Sequence, residues 1–124
     1  MSARGLSRTQ KAILSESRAL GSGGRRLRGS GERAAAKKLQ LLGLGALWSR
    51  PRYGLVADAR FVALEHCDLF PRLRNELAAA RGWCAGCSGS YSEGDEVSVL
   101  GVDGVMHRLC AAQTVVLRHG RGDA

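Results

Sequence analysis

Trp83-Cys84-Ala85-Gly86-Cys87-Ser88-Gly89 and, with nineteen residues between Cys87 and His107, His107-Arg108-Leu109-Cys110 are the stretches that decide how this chain folds. Two close pairs of soft ligands, Cys84 with Cys87 and His107 with Cys110, are spaced so that each pair can point at one ion from a tight turn or the first turn of a helix. Zinc takes thiolate sulfur and imidazole nitrogen in a four-coordinate tetrahedron, and a Cys3His set leaves no open position, which marks a structural rather than a catalytic ion. The cofactor expected is therefore zinc, with Cys84, Cys87, His107 and Cys110 as its ligands.

The residues between the pairs agree. Ser92-Glu93-Gly94-Asp95 reads as a polar turn, Glu96 to Val102 as a short strand, and Asp103-Gly104 as a two-residue hairpin turn. Such a turn needs positive φ at both central positions, which Asp-Gly tolerates, so Val105 and Met106 are expected to fold back on Val102 and Gly101. The returning strand delivers His107. Arg108 to Leu117, with Leu109, Ala112, Val116 and Leu117, then fits a helix whose first turn holds the last two ligands.

Knuckle, hairpin and helix over residues 82–119 resemble a treble-clef zinc finger, and the ligand order and spacing are most similar to the first zinc site of a LIM domain. The Cys and His of only one of the two LIM modules are present. The resemblance implies a metal-stabilised scaffold and not a particular partner, since this family and its relatives, including the poly-ADP-ribose polymerase type of finger, bind proteins in some cases and nucleic acid in others.

Trp83-Cys84-Ala85-Gly86-Cys87 also has the outline of a thioredoxin-like redox pair. That reading needs a buried strand just before the motif, whereas Leu73 to Arg81 carries a helical pattern, and it leaves His107 and Cys110 without a role. A haem attachment would need His at position 88, where the chain has Ser. A disulfide-rich module would need more than the four cysteines present.

The 124 residues allow one or two small domains. A finger of about 35 residues cannot bury enough apolar surface alone, and metal binding supplies the missing folding free energy, on the order of 10 kcal/mol or more in isolated fingers. No run near twenty apolar residues is present, so no membrane span is expected, and Met1 to Gln10 does not read as a secretory leader. Free thiolates fit a reducing, cytoplasmic location.

Charge divides the chain unevenly. Residues 1–52 hold twelve Lys and Arg against Glu16 and Glu32, a balance of +10, while residues 53–124 hold seven against nine, a balance of −2. A basic half joined to a mildly acidic one points to a polyanion partner for the N-terminal part, and nucleic acid, duplex DNA before RNA, is the commonest. A coding sequence rich in G and C, which favours Arg together with Ala and Gly, is the plainer explanation of the same numbers.

In that half, Ser7 reads as the cap of a helix that places Ala12, Ile13, Ala19 and Leu20 on one side and ends at Gly21. Gly21 to Gly31 (GSGGRRLRGSG) reads as a flexible basic loop around Arg25, Arg26 and Arg28. A second helix is expected from near Ser30 through Ala34, Ala35, Ala36, Leu39 and Leu42, with Gly43 as its left-handed terminator. Strand-like Ala46 to Ser49, a turn at Arg50-Pro51-Arg52-Tyr53-Gly54 and strand-like Leu55 to Leu64 follow.

Residues 6–65 weakly resemble the winged-helix DNA-binding domains of small bacterial regulators. The resemblance implies that Arg33, Lys37 and Lys38 face a duplex from the helix and Arg50 and Arg52 from the wing; Arg25, Arg26 and Arg28 of the basic loop are further candidate nucleic-acid contacts by their charge. A Gly/Arg loop stands where such domains carry a middle helix, so sequence-independent binding is expected to dominate.

The remaining pieces read plainly. Pro71 to Arg81, with Leu73, Leu77 and Ala80 at helical spacing, is expected to be a connector helix within 66–81. His66-Cys67 is a ligand-like pair whose cysteine is expected to be a small core residue. Trp48 and Trp83 are expected to be core anchors, and His119 to lie in a frayed tail that is disordered over 120–124. No catalytic constellation emerges, so no enzymatic activity is expected. The expected architecture is α+β: a basic helix-and-wing module over 1–65, a connector helix over 66–81 and a zinc finger over 82–119. The expected function is a zinc-binding, DNA-binding regulator, and the alternative is an adaptor that engages a protein partner through the finger.

Overall fold

The computed structural model describes residues 5–52 and 55–119, and the fold is α+β. Three helices, α1 (Arg8–Leu20), α2 (Gly29–Leu41) and α3 (Arg108–Arg118), accompany eight strands. The strands are β1 (Arg25–Arg26), β2 (Gly45–Arg52), β3 (Leu55–Ala63), β4 (Leu73–Leu77), β5 (Gly82–Trp83), β6 (Ser90–Tyr91), β7 (Glu96–Leu100) and β8 (Val105–His107). All pairings are antiparallel, in three sheets ordered β1-β3-β2, β4-β7-β8 and β5-β6.

Ser7 begins α1 as expected. Its hydroxyl accepts the amide of Gln10 at 3.1 Å while the Gln10 side chain accepts the amide of Ser7 at 2.8 Å, a reciprocal capping box. The buried face is Gln10, Ile13, Leu14 and Ser17. Ala12, Ala19 and Leu20 are exposed, contrary to the expected phase. Two polar residues disguise the true stripe: Gln10 is used by the cap, and the Ser17 hydroxyl donates to the Leu14 carbonyl at 2.9 Å, so both can be buried without an unmet hydrogen bond.

The Gly/Arg segment 21–31 is ordered rather than a loose loop. Arg25 and Arg26 form β1, in register with Phe61 and Arg60 of β3. Arg25 then binds both helices: its Nε reaches Glu16 of α1 at 2.8 Å, and its Nη1 and Nη2 reach the Glu32 carboxylate of α2 at 2.7 and 3.1 Å. Glu32 also accepts the amide of Arg28, the residue that precedes α2, at 2.6 Å.

Helix α2 ends in a Schellman arrangement. Leu44 donates to the Leu39 carbonyl and Gly43 to that of Gln40, with Gly43 left-handed at φ 72°. The chain turns directly into the β2–β3 hairpin. Pairing runs to Arg52↔Leu55 with an irregularity between Arg50 and Arg52, so these two residues lie in the strand rather than in a five-residue turn. The tip, Tyr53-Gly54, lies outside the described residues.

From Ala59 to Ala63, strand β3 is buried on both faces. Ala59 and Phe61 join Ile13, Leu14, Leu27, Ala35, Ala36 and Leu39 in one apolar cluster. Val62 and its partner Ala46 belong to a second, with Cys67, Leu69, Leu100, Val115 and Val116. Successive strand residues point to opposite sides, so the hairpin is a wall with α1 and α2 on one side and α3 on the other. A third, small cluster of Cys84, Met106 and Ala111 lies beside the cysteines.

Residues 66–81 contain no α-helix, contrary to the connector expected there. Leu73–Leu77 is extended and pairs with all five residues of β7. Strand β7 is central, and β8 covers only Val97 to Val99. Its other edge would hold unpaired backbone groups without β4, a cost that outweighs the helical spacing of Leu73, Leu77 and Ala80. The buried Ser98 hydroxyl also finds its partner there, donating to Asn75 Oδ1 across the pair at 2.6 Å.

The β7–β8 hairpin forms, with a different turn. Gly101–Asp103 is a short 3-10 turn followed by Gly104, and Val105 pairs with Val99 rather than folding onto Val102 and Gly101. Asp103 is held by Arg118, whose Nη1 and Nη2 lie 2.8 and 2.9 Å from its carboxylate oxygens. That bidentate pair fastens the turn to the end of α3 and favours the longer connection.

The Arg25 ion pairs lead to a pH-dependent prediction. Glu32 titrates below its ordinary value of 4.5, first because of the Arg25 guanidinium and then because of the Arg28 amide. A carboxyl depressed in the folded state contributes stability that is present above its unfolded pKa and is lost as pH falls through the folded value. Arg25→Ala should therefore cost on the order of 1–3 kcal/mol at pH 7, and the difference from wild type should shrink below about pH 4. Urea unfolding at pH 7 and pH 3 reads both; an equal difference at the two values would contradict the assignment.

Candidate metal centre

The metal-binding candidates of the sequence converge. One donor atom from each of Cys84, Cys87, His107 and Cys110 lies within 4.8 Å of every other, a set that could hold a metal ion. Cys84 follows β5 directly, Cys87 lies on the turn after it, His107 ends β8, and Cys110 is in the first turn of α3. Cys84 is buried and Cys87 faces solvent.

Local backbone geometry prepares the sulfurs. The amide of Gly86 donates to Cys84 Sγ at 3.3 Å, that of Gly89 to Cys87 Sγ at 3.4 Å, and that of His107 to Cys84 Sγ at 3.3 Å. Ser88 at φ 64° makes the left-handed step that turns the Gly89 amide toward Cys87. Gly86 is required by space: a Cβ there would come within 2.9 Å of Cys110 Cβ. The knuckle closes by hydrogen bonds from Cys84 N to Gly89 O at 2.7 Å and from Ala85 N to Val105 O at 3.0 Å.

His107 is oriented through its far nitrogen. Its Nε2–H can donate to the Ser90 carbonyl at 3.2 Å, which leaves the Nδ1 lone pair facing Cys87 Sγ at 3.3 Å and Cys110 Sγ at 3.9 Å. A carbonyl that fixes the tautomer of a ligand imidazole is the usual outer partner in such sites. Bond lengths of about 2.3 Å to sulfur and 2.0 Å to nitrogen put tetrahedral S···N distances at about 3.5 Å. The two measured distances fall on either side of that value, so the donor set fits a tetrahedral ion.

Electrostatics shows why a cation belongs there. Burial opposes the Cys84 thiolate, but the amides of Cys87, His107 and Gly86 and the Cys87 side chain outweigh it and bring the thiol down to about 6. Cys110 is pushed up to about 12, by burial first and then by the neighbouring Cys84 and Cys87. His107 is held above its ordinary value by Cys87 and then by the Ser90 carbonyl. One sulfur is prepared as a thiolate and another cannot lose its proton beside it. A divalent ion neutralises the charge that keeps Cys110 protonated, so binding should release protons.

The other ligand-like residues stand apart from this cluster. Cys67 is buried against Val62 and Leu69, and burial pushes its thiol up to about 12. His66 Nε2 lies 3.0 Å from the Arg18 carbonyl. His119 caps α3 instead of fraying, and its Nδ1 accepts the Asp68 amide at 3.1 Å. Residues 120–124, expected to form a disordered tail, lie outside the described residues.

The cationic candidates separate into groups. Arg25 is committed to Glu16 and Glu32 and is three-quarters or more shielded, with 17% of its side chain exposed. Arg26 is exposed on β1, and Arg28 is exposed where α2 begins. Arg33, Lys37 and Lys38 are exposed on α2, and among the described residues none of the three forms an ion pair with a carboxylate. The backbones of Arg50 and Arg52 are in β2, and their side chains are outside what is described. Glu16 and Glu32 are the structural residues that sequence reading overlooked. They are the only carboxylates in the first 52 residues, and that scarcity beside an arginine-rich segment was a usable signal.

Trp48 is half-buried, but Trp83 is 69% exposed and is no core anchor. The two-residue strand β5 sets Gly82 against the Tyr91 ring, and alternation turns Trp83 the other way. The expected lack of a strand before Cys84 also fails, since both β4 and β5 precede it. Convergence of all four donors, which a two-cysteine redox pair does not require, is what supports metal binding. No protein family, curated protein or solved structure matches this chain. Among the described residues no helix is long and apolar enough to cross a membrane.

Purified protein should hold one divalent ion per chain, measured by elemental analysis. Cys110→Ser should lose most of it, and Cys67→Ala should keep the full amount. Gly86→Ala should weaken binding roughly tenfold by displacing Cys110, measured by competition with a chelator. Loss of metal in Cys67→Ala would overturn the ligand assignment.

Proposed function

We propose that the chain is a zinc-held, nucleic-acid-binding protein that acts on duplex DNA as a regulator. The ion is zinc because three thiolates and an imidazole in a closed tetrahedral set suit it, and with no position left for substrate its role is to hold the fold rather than to catalyse. Knuckle, hairpin and helix in that order correspond to a treble clef. A reducing cytoplasmic setting suits the reduced cysteines.

The observation that supports nucleic acid is the outer face of α2. Arg33 and Lys37 are one turn apart and lie on the flank shared with Gln40, whose side chain accepts the Leu47 amide of β2 at 2.8 Å. These cations therefore project on the same side as the hairpin that carries Arg50 and Arg52. Helix, hairpin and the pairing of β1 with β3 resemble a winged helix without its middle helix. Phosphate contacts position such a protein, and base contacts are needed for specificity. Without a middle helix to brace α2 on the backbone, the sequence-independent part should dominate.

A second reading is favoured by Trp83. A largely exposed indole fixed next to a metal ligand is a ready anchor for a protein partner, and it lies in the half of the chain with negative balance. An adaptor of that kind would use the finger and leave the α2 cations as a solvated surface.

Duplex DNA binding by the zinc-loaded chain should fall steeply with salt, with a log-log slope of about −0.9 for each phosphate neutralised. Replacing Arg33 and Lys37 by Ala should reduce the slope by about two and weaken binding to all sequences alike. Titration at several salt concentrations measures both. Unchanged affinity in the double variant, or no DNA or RNA binding at low salt, would discard this reading and favour the adaptor.

A further inference from the structure

The metal ligands and the basic helix lie in different halves of the chain, yet α3 touches both. His107 immediately precedes α3 and Cys110 is in its first turn. On the next residues the same helix meets the end of α2: a Cβ at Gly43 would come within 2.9 Å of Ala112 Cβ and 3.3 Å of Leu109 Cδ1. Gln113 Nε2 donates to the Leu41 carbonyl at 2.7 Å.

That hydrogen bond completes a cap. In the Schellman turn of α2 the carbonyls of Leu39 and Gln40 are taken by Leu44 and Gly43, and that of Lys38 by Leu42. The carbonyl of Leu41, the last helical residue, has no partner within its own helix and would otherwise face solvent. Gln113 supplies it from seventy-two residues away in sequence. Farther along α3, Val115 and Val116 enter the cluster with Ala46 and Val62, next to the strand that follows α2.

We infer that metal binding by Cys84, Cys87, His107 and Cys110 fixes the C-terminal end of α2 through α3, so that the last turn of the cationic helix is held only when the metal is bound, while its Ala35–Leu39 face stays packed on α1 and β3. Apart from the ligands, the first turn of α3 is restrained among the described residues by a small cluster of Cys84, Met106 and Ala111 with Leu73 beside it, and by the solvent-facing Arg108–Glu96 pair at 3.0 Å. Loss of the ion frees His107 and Cys110, lets that turn unwind, and removes Leu109, Ala112 and Gln113 from the α2 cap. The consequence for nucleic acid rests on the reading proposed above, whereas the tether itself does not.

Amide hydrogen exchange on the full chain separates the two. With zinc bound, the amides of Leu42, Gly43 and Leu44 should be protected. On chelation they should exchange at least tenfold faster, while those of Ile13 and Leu14 in α1 change much less. Gln113→Ala, which touches no ligand, should retain a full equivalent of zinc and still show several-fold faster exchange at Gly43 and Leu44. If chelation leaves those three amides unchanged, or if α1 and the α2 end lose protection equally, the tether is wrong. DNA affinity measured on the same samples tests the other reading: no binding by the zinc-loaded chain refutes nucleic-acid function and leaves the exchange result to decide the tether.

Discussion

From Ala59 to Ala63, strand β3 buries side chains on both of its faces, and the helices are arranged around that fact. Phe61 needs α1 and α2 over it, and Val62 needs α3 and the Cys67–Leu69 segment. Neighbouring strand residues point to opposite sides, so no register satisfies only one of them. The shared wall explains how so short a chain manages two larger apolar clusters: the first is built from residues 6–61, and the second joins Ala46 and Val62 to Leu100, Val115 and Val116. It also explains why an arginine-rich half and a cysteine-bearing half are parts of one packed structure.

The ligand cluster solves a different problem. Three sulfurs close together repel as thiolates, and the amide bonds to Cys84 and Cys87 stabilise only part of that charge. The result is a split pair, Cys84 low at about 6 and Cys110 high at about 12. Carbonyl oxygens cannot relieve such a cluster, because they add further negative potential. A cation at the centre would convert mutual repulsion into four attractions, which is how metal binding can be coupled to folding at such a cluster.

The convergence of Cys84, Cys87, His107 and Cys110 could be read from the chain because a candidate metal site depends on residue type and spacing, both local and discrete. The β2–β3 and β7–β8 hairpins were legible for a similar reason: apolar runs interrupted by short polar or glycine-bearing turns have few other solutions. Strand β4 was not. Leu73, Leu77 and Ala80 satisfy helical spacing, and what makes the segment extended is the free edge of β7, more than twenty residues later. Local preference lost to backbone pairing. The true face of α1 was hidden because two of its four buried positions, Gln10 and Ser17, are polar with internal partners. Exposure of Trp83 depends on the direction of a two-residue strand, which no periodicity can show.

The same contrast holds for charge. A count of +10 over residues 1–52 treats every arginine alike, but Arg25 is consumed in holding α1 to α2, and its removal would be felt as lost stability rather than as lost binding. Arg33, Lys37 and Lys38 have no such task. A helix that keeps three cations on its outer side gains nothing for its own stability from them, since like charges one turn apart repel by a few tenths of a kcal/mol. Lys38 in the last turn is favoured by the helix dipole, but Arg33 and Lys37 are not compensated in that way. Their cost is small, and an anionic surface brought against that face would remove it.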